Sequence, residues 1–281
     1  MDTQKRVMAI HDISCVGRCS LTVALPIISA AGFDCGVLPT AILSTHTGGF
    51  SGFTYRDLTE DIKPIASHWE SLGLRFDALY SGFLGSFEQI ALVAEVFDKF
   101  KAANGFVLVD PVMADNGKLY SVYSPEMAKG MAGLCAHADI IVPNLTEASF
   151  LLNEPYVGEE YDRSYIEGLL KRLAALGAAK VVLTGVSFEQ GKLGAACYDS
   201  ANGEIGYFAL NRINGYFHGT GDVFGSSLLS GLLSGRTLEK AMEIAVKYTH
   251  RCITLTEEAG QEIRYGVCFE RAIPYLIELI A

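Results

Sequence analysis

Short apolar runs alternate with longer amphipathic segments along most of the chain. The short runs are rich in β-branched residues, whereas the longer segments repeat apolar positions every three or four residues. This alternation is typical of βαβ units, in which helices connect the strands of a parallel sheet. The pattern therefore predicts an α/β fold with a mainly parallel central sheet flanked by helices.

The apolar runs predict eight strands and the amphipathic segments predict nine helices. The predicted strands are 6–10, 35–42, 78–81, 106–110, 139–142, 180–184, 193–198 and 205–210. The predicted helices lie near 20–31, 55–73, 86–104, 124–136, 145–153, 161–177, 221–235, 237–255 and 267–280. The last two strands flank a turn-rich stretch, 199–203, and are expected to form an antiparallel hairpin at one edge of the sheet. One face of the helix near 237–255 is interpreted as core contact only, through Ala241, Ile244, Ala245, Tyr248 and Cys252.

The composition is that of a globular protein that can bury a sizeable core. Half of the 281 residues are apolar and 19% are charged. No linker, repeat or low-complexity block interrupts the chain, so residues 1–281 are interpreted as one domain. The formal net charge is −10 and no cluster of Lys and Arg offsets it, which argues against binding to nucleic acid or to an anionic membrane. An anionic substrate must then be captured by local groups.

Three features predict a cytoplasmic location. Residues 1–10 lack the apolar core and cleavage site of a signal peptide. No run approaches the roughly 20 apolar residues that are needed to span a bilayer. The seven cysteines are scattered, without a C-x-x-C pair, as expected for a reduced protein.

The stretch Gly219-Thr220-Gly221-Asp222 comes directly before an apolar, helix-period run. Unpaired backbone N–H groups at a helix start, where the helix dipole is positive, form a cradle for an anion. A carboxylate repels a bound phosphate and therefore does not favour simple binding, but it is suited to orient an attacking hydroxyl. The alternative is that the glycines permit a tight turn or close packing and that Asp222 caps the helix. This stretch alone leaves both interpretations open.

Polar residues follow several of the predicted strands, and in open parallel sheets ligands bind beyond the carboxyl ends of the strands. Asp110 ends an apolar strand and is followed by a proline, so it is either an oxygen ligand of Mg²⁺ or a strand-end turn former. Asn144 and Glu147 have the spacing of a capping box, and from spacing alone the cap is the better interpretation.

Two glycine-containing stretches, 45–52 and 113–121, are predicted to be mobile loops beside a site, because each follows a strand. Thr47 lies in the first of them, where its hydroxyl and the neighbouring amides can close over a ligand. His11 and His46 are plausible hydrogen-bonding residues, but neither is assigned a role in proton transfer.

Two familiar phosphate-binding motifs are missing. The first strand is followed by His11-Asp12-Ile13-Ser14 rather than by the dinucleotide fingerprint, and the P-loop pattern G-x-x-x-x-G-K-[ST] does not occur. Gly219–Asp222 is therefore the best available cradle for a nucleotide phosphate.

Taken together, these motifs resemble those of the vitamin B6 kinases of the ribokinase superfamily, over about residues 6–260. The matching pieces, in order, are Ser44-Thr45-His46-Thr47-Gly48, Ser81-Gly82-Phe83-Leu84-Gly85-Ser86, Asp110-Pro111-Val112-Met113, Pro143-Asn144-Leu145-Thr146-Glu147 and Gly219-Thr220-Gly221-Asp222. The opening stretch from Ile10 to Pro26 is similar to bacterial pyridoxamine kinases. The resemblance implies a ribokinase-like three-layer sandwich that uses ATP and Mg²⁺ to phosphorylate the hydroxymethyl group of a B6 vitamer.

The resemblance also implies roles for individual residues. Asp222 matches the catalytic aspartate, and Gly219, Thr220 and Gly221 match the anion hole. Asp110, Asn144 and Glu147 match positions that organise Mg²⁺ and its water shell. Thr184 and Asp115 match nucleotide-side positions, whereas Thr47 and the turn of Ser81, Gly82 and Phe83 match the substrate side. The family further suggests a homodimer and leaves open whether a monovalent cation is needed.

Two positions depart from the pattern of many B6 kinases, which have Ser where this chain has Asp12 and Tyr where it has Phe83. Both are expected near the ring pocket, and Asp12 suits a substrate with a cationic amine, which favours pyridoxamine. Two alternatives remain. One is a kinase of the hydroxymethylpyrimidine branch, and the other is a non-catalytic protein that binds vitamers on the same fold.

Overall fold

The computed structural model describes residues 4–120 and 123–281 of the chain. The first three residues of the N-terminal segment and Ser121, the last residue of the loop predicted at 113–121, lie outside the described residues. Within the described part, no helix is long and apolar enough to cross a membrane.

All eight predicted strands are present, several with longer bounds. The strands are β1 (Arg6–Ser14), β2 (Asp34–Leu43), β3 (Tyr55–Asp57), β4 (Phe76–Ser81), β5 (Lys101–Val109), β6 (Ala114–Asp115), β7 (Lys118–Leu119), β8 (Ile140–Ile141), β9 (Lys180–Val186), β10 (Lys192–Asp199) and β11 (Glu204–Asn211). The helices are α1 (Leu21–Ala30), α2 (Thr59–Ser71), α3 (Phe87–Phe100), α4 (Pro125–Cys135), α5 (Leu145–Leu152), α6 (Arg163–Ala174), α7 (Thr220–Leu233), α8 (Leu238–Glu258) and α9 (Ile273–Ile280).

Among the described residues, nine strands form one sheet in the order β11-β10-β9-β8-β5-β4-β1-β2-β3. The six strands from β9 to β2 are mutually parallel. The predicted hairpin of β10 and β11 lies antiparallel at one edge, and β3 pairs antiparallel with β2 at the other. The mainly parallel α/β prediction is therefore confirmed.

Alternate residues of the central strands face two separate helix layers. On β1, Met8 and Ile10 pack with α2 to α6, whereas Val7 packs with α1, α7 and α8. Strands that are buried on both faces are expected in a parallel sheet whose crossover helices cover both sides. The result is the three-layer arrangement that the resemblance implied.

Three predicted helix ends are wrong because tertiary pairing overrides local helix preference. Residues 55–57 form β3 instead of the start of α2, and the Thr59 N–H is bonded to the Asp57 carboxylate at 2.7 Å. Residues 101–104 belong to β5, whose first residue pairs with Phe76 of β4. The last helix begins at Ile273 rather than at residue 267, because the Cys268 N–H donates to the Thr256 hydroxyl of α8 at 2.8 Å.

Candidate active site

A cleft of about 760 Å³ opens beyond the carboxyl ends of the parallel strands. It lies where β1 separates β2 from β4, so that the chain winds outward in opposite directions on the two sides. Such a switch point is where open α/β sheets bind their ligands. Of the predicted site residues, the cleft is lined by Asp12, Thr47, Phe83, Asp110, Asp115, Asn144, Glu147, Thr184, Gly219, Thr220, Gly221 and Asp222.

The start of α7 forms one wall of this cleft. Gly219 is the N-cap residue and has the left-handed conformation, with φ 75°. A Cβ atom at this position would also collide with the Arg18 carbonyl oxygen, so the turn requires glycine on two counts. In the described part of the chain no side chain caps the helix start, and its N–H groups lie at the cleft, where an anion can bind them.

The Asp222 carboxylate lies in the first turn of α7, with its side chain 15% exposed. Its Oδ2 atom accepts a hydrogen bond from the Ser20 N–H at 2.8 Å, and its Oδ1 atom lies 4.0 Å from Nδ1 of His11. Burial raises the pKa of Asp222 to about 7. A carboxylate that changes protonation near neutral pH is suited to accept a proton from a hydroxyl.

Asp110 is a second carboxylate in the same cleft, and it is 7% exposed. Burial raises the pKa of Asp110 well above its ordinary value, and the charges of Glu147 and Asp222 add to the effect. Within residues 4–120 and 123–281 no donor bonds to its carboxylate oxygens, whereas Glu147 and Asp222 in the same cleft each accept from backbone N–H groups. A buried, unpaired carboxylate is costly, so the site favours a cation beside Asp110.

Asn144 and Glu147 form the capping box that their spacing predicted. The Asn144 side chain accepts from the Glu147 N–H at 2.8 Å, and Glu147 Oε2 accepts from the Asn144 N–H at 2.9 Å. Glu147 Oε1 accepts from the Met113 N–H at 3.1 Å. Burial raises the pKa of Glu147 to about 8. Glu147 thus joins the segment that follows Asp110 to the start of α5, through one carboxylate oxygen on each side.

Side chains alone do not complete a metal site here. Across the described ranges, no three His, Cys, Asp or Glu residues are grouped to hold a metal ion. Mg²⁺ usually binds through one or two carboxylates together with phosphate oxygens and waters. Asp110 therefore fits a Mg²⁺ ion that arrives with a nucleotide.

Of the residues predicted on the substrate side, Asp12, Thr47 and Phe83 line the cleft. Asp12 is 4% exposed and accepts from the Ser14 hydroxyl at 3.2 Å, and burial raises its pKa. Ser81 and Gly82 are buried and are not among the residues that line the cleft, so their assignment to the substrate side stays a prediction. Their backbone groups connect neighbouring segments, because the Gly82 N–H donates to the Ile10 carbonyl and the Ser81 carbonyl accepts from the Asp110 N–H at 2.9 Å.

The Gly-rich loop that carries Thr47 is tied to two other segments. The Gly48 N–H donates to Nδ1 of His46 at 3.2 Å, so Nε2 carries the proton and donates to the Arg264 carbonyl at 2.7 Å. The His218 ring lies 5.0 Å from the His46 ring. Burial lowers the pKa of both histidines. Both rings are therefore neutral at pH 7 and hold the loop beside the start of α7.

The other end of the cleft is an apolar slot that the sequence analysis missed. It consists of the cleft residues Leu210, Ile213, Val246, Thr249, His250 and Ile253, from β11, the segment after it and α8, and Thr184 and Asp115 line the same cleft. Residues 246, 249, 250 and 253 have the i, i+3, i+4, i+7 spacing of a second helix face. The core face predicted for α8 is buried as expected, but the interpretation of α8 as core contact only was incomplete.

The chain is similar to known kinases over nearly its whole length. Residues 28–266 match the family model of phosphomethylpyrimidine kinase. A Bacteroides thetaiotaomicron protein, named a candidate phosphomethylpyrimidine kinase and crystallised with pyridoxal, is 35% identical, with a TM-score of 0.93 over 98% of this chain and 96% of its own. Pyridoxal kinase of Lactobacillus plantarum is 29% identical, with a TM-score of 0.89 over 99% and 98%. A pyridoxine/pyridoxal/pyridoxamine kinase of Bordetella avium is 26% identical over 90% of this chain and 86% of its own.

Proposed function

The chain belongs to the phosphomethylpyrimidine kinase family, and from that premise we propose that it transfers a phosphoryl group from ATP to the hydroxymethyl group of a B6 vitamer. The observation that carries this proposal is the open start of α7, with Asp222 in its first turn and Asp110 in the same cleft. The Bordetella avium relative is named for all three vitamers, and the Bacteroides thetaiotaomicron protein was crystallised with one of them.

Phosphoryl transfer asks a protein mainly for positioning and for charge stabilisation. The N–H groups of Gly219, Thr220 and Gly221 hold the transferring phosphoryl group at the positive end of α7. Asp222 orients the substrate hydroxyl and accepts its proton, since the pKa of Asp222 lies close to neutral pH. A helix terminus stabilises an anion by only about 0.3–2 kcal/mol, so further positive charge is required.

Magnesium is the proposed source of that charge. Asp110 would hold the ion, and Glu147 would keep the backbone of this segment in place through its bond to the Met113 N–H. When bound, Mg²⁺ neutralises the donor phosphates as charge develops in the transition state. Asn144 supports this arrangement as the N-cap of α5 and through its Nδ2 donation to the Ala114 carbonyl at 2.9 Å.

The apolar slot is the proposed site of the nucleotide base. Leu210, Ile213 and Val246 provide apolar contacts, and Thr184 and Asp115 line the same cleft as the anion hole. The base of a nucleotide donor must lie about one triphosphate length from the reacting group, and α8 contributes Val246, Thr249, His250 and Ile253 to the same cleft as Asp222.

Asp12 is the proposed determinant of vitamer preference. Asp12 lines the cleft together with Asp222, where its carboxylate can form an ion pair with the amine of pyridoxamine. Phe83 also lines the cleft, and its ring packs against that of Tyr123 with 5.8 Å between the centroids. Steady-state kinetics of the wild type and Asp12→Ser with pyridoxal and pyridoxamine test this role. In Asp12→Ser we expect kcat/KM for pyridoxamine to fall at least tenfold more than kcat/KM for pyridoxal, because a hydrogen bond between charged groups is lost only with pyridoxamine. Equal effects on the two vitamers would reject it.

An ATP-dependent phosphorylation assay on pyridoxal, pyridoxamine, pyridoxine and hydroxymethylpyrimidine tests the function itself. Efficient turnover of the B6 vitamers supports the proposal. Preference for hydroxymethylpyrimidine would favour the activity for which the family is named, and binding without turnover would favour a vitamer-binding protein. The homodimer and the cytoplasmic location stay predictions, the first of which sedimentation equilibrium can check.

A further inference from the structure

His11 is a buried polar residue on β1, and core packing alone does not explain a polar side chain at this position. Its side chain is fully buried, and neither ring nitrogen has a hydrogen-bond partner in the part of the chain that is described. Burial lowers the pKa of His11 to about 3, so the ring is neutral. A buried N–H group without a partner destabilises a fold, which calls for an explanation.

Several features of the sheet aim this ring at the start of α7. The pairing of β1 with β2 shifts register just after His11, between the pairs His11 with Pro39 and Ile13 with Ile42. Bulges of this kind re-aim side chains and are common beside active sites. Gly82 leaves space for the imidazole, since a Cβ atom there would collide with Nδ1 and Cε1 of His11. The Tyr80 ring packs edge-on at 4.4 Å between centroids and fixes the plane of the imidazole.

The ring nitrogen Nδ1 faces Oδ1 of Asp222 at 4.0 Å. Oδ2 of the same carboxylate is held by the Ser20 N–H, whereas Oδ1 has no hydrogen-bond donor among the described residues. A hydrogen bond would need an approach of about 1 Å, since such bonds have N···O distances near 3 Å. Catalytic hydrogen bonds are often long before substrates bind and tighten in the complex.

We propose that His11, as the Nδ1–H tautomer, is a positioning residue that donates to Oδ1 of Asp222 and, with the Ser20 N–H, fixes the orientation of that carboxylate toward the substrate hydroxyl. This role rests on the proposed kinase function, because it acts through the base of that reaction. His11 itself remains neutral and exchanges no proton with the substrate.

Three substitutions separate the donor from the volume of the ring. His11→Asn keeps an amide N–H near the position of Nδ1, His11→Gln moves it toward the position of Nε2, and His11→Leu removes it. We expect His11→Leu to lower kcat by about 10- to 100-fold, the range for a hydrogen bond to a charged group, with KM for vitamer and ATP within about threefold. His11→Asn should recover most of kcat, and His11→Gln should not.

A double-mutant cycle with Asp222→Asn controls for general damage to the fold. If His11 acts through Asp222, adding His11→Leu to Asp222→Asn should lower kcat no further. Losses that multiply in the double variant, or equal losses in His11→Asn and His11→Leu, would overturn the proposal.

A measurement that needs no turnover separates failure of this inference from failure of the kinase proposal. In protein labelled with ¹⁵N-histidine, the signals of His11 are assigned by their loss in His11→Leu. We expect the Nδ1–H tautomer and a change of the Nδ1 shift in Asp222→Asn. An Nε2–H tautomer that does not respond to Asp222→Asn overturns the inference, whereas wild-type protein that phosphorylates no vitamer rejects the function only.

Discussion

Replacing Asp222 by Asn should make the protein more stable and much less active. The substitution removes a charge and leaves the size of the side chain almost unchanged. In the folded protein that charge is destabilising, because the carboxyl is only 15% exposed and Asp12 lies close enough to oppose its ionisation. Among the described residues, the carboxylate accepts one hydrogen bond, from the Ser20 N–H at 2.8 Å, and an Asn oxygen can accept the same bond.

The size and sign of the stability effect follow from the pKa. Burial raises the pKa of Asp222 from an ordinary 3.8 to about 7. The unfolded chain therefore releases this proton near pH 4, whereas the folded protein retains it until about pH 7, so the free energy of unfolding falls as pH rises through this window. At about 1.4 kcal/mol per pKa unit, ionised Asp222 lowers stability above pH 7 by about 4 kcal/mol at most.

Thermal unfolding at pH 4 and pH 8, followed by circular dichroism, measures the effect. The Asn amide retains an N–H group that needs a partner, so we expect a net gain of about 1–3 kcal/mol at pH 8. This gain corresponds to a rise in Tm of roughly 2–4 °C per kcal/mol for a chain of this size. At pH 4 the Tm of variant and wild type should nearly coincide. Turnover of the vitamer at pH 8 should fall by about 10²–10⁴-fold.

Asp98→Asn is a matched control, since Asp98 is 74% exposed on α3 and far from the cleft. It should change Tm by about 1–2 °C at most and leave turnover unchanged. A Tm of Asp222→Asn below that of the wild type at pH 8, or a difference in Tm that is the same at pH 4 and pH 8, would show that the charge of Asp222 does not destabilise the folded protein. A loss of turnover below about tenfold would remove Asp222 as the base.

Two further predictions concern the phosphate site. Gly219→Ala should lower Tm and abolish turnover, because residue 219 has φ 75° and its new Cβ atom would collide with the Arg18 carbonyl. In Gly221→Ala the new Cβ atom would lie 3.7 Å from Asp110 Oδ2, so Tm should stay within a few degrees of the wild type. Equal losses of Tm in the two variants would contradict this prediction. Removal of divalent ions with a chelator should abolish turnover. In kinetic titrations, Asp110→Asn should raise the Mg²⁺ concentration that gives half of the maximal rate at least tenfold. An unchanged Mg²⁺ requirement would exclude Asp110 as the ligand.

The sheet could be predicted because its strands are short apolar runs between turn signals. A strand that is buried on both faces, such as β4, needs no partner to be recognised in the sequence, and the partly exposed hairpin of β10 and β11 was marked by its turn; all eight predicted strands are confirmed. Residues 114–119 are different. They form the small hairpin of β6 and β7, whose position depends on the bond from the Asn144 side chain to the Ala114 carbonyl. Two-residue strands have too few positions to show a period, so only the tertiary contact reveals them.

Much of the candidate site could be predicted for a geometric reason. Side chains that follow parallel strands meet at one edge of the sheet, so Asp12, Asp110 and Thr184 are brought together by topology alone. The partner of Asp222 could not be found in this way. His11 precedes Asp12 on an extended strand, where neighbours point to opposite faces, and only the register shift in β1 lets both lie near the same carboxylate.

The two interpretations of Gly219, as a tight turn and as part of an anion cradle, do not exclude each other. Its φ of 75° and the close Arg18 carbonyl make glycine necessary for the turn, and the same turn leaves the first N–H groups of α7 facing the cleft. This glycine therefore cannot distinguish packing from binding. Asp222 can distinguish them. Packing does not explain a carboxylate whose burial lowers the stability of the fold, whereas a reaction that needs a base near neutral pH explains it.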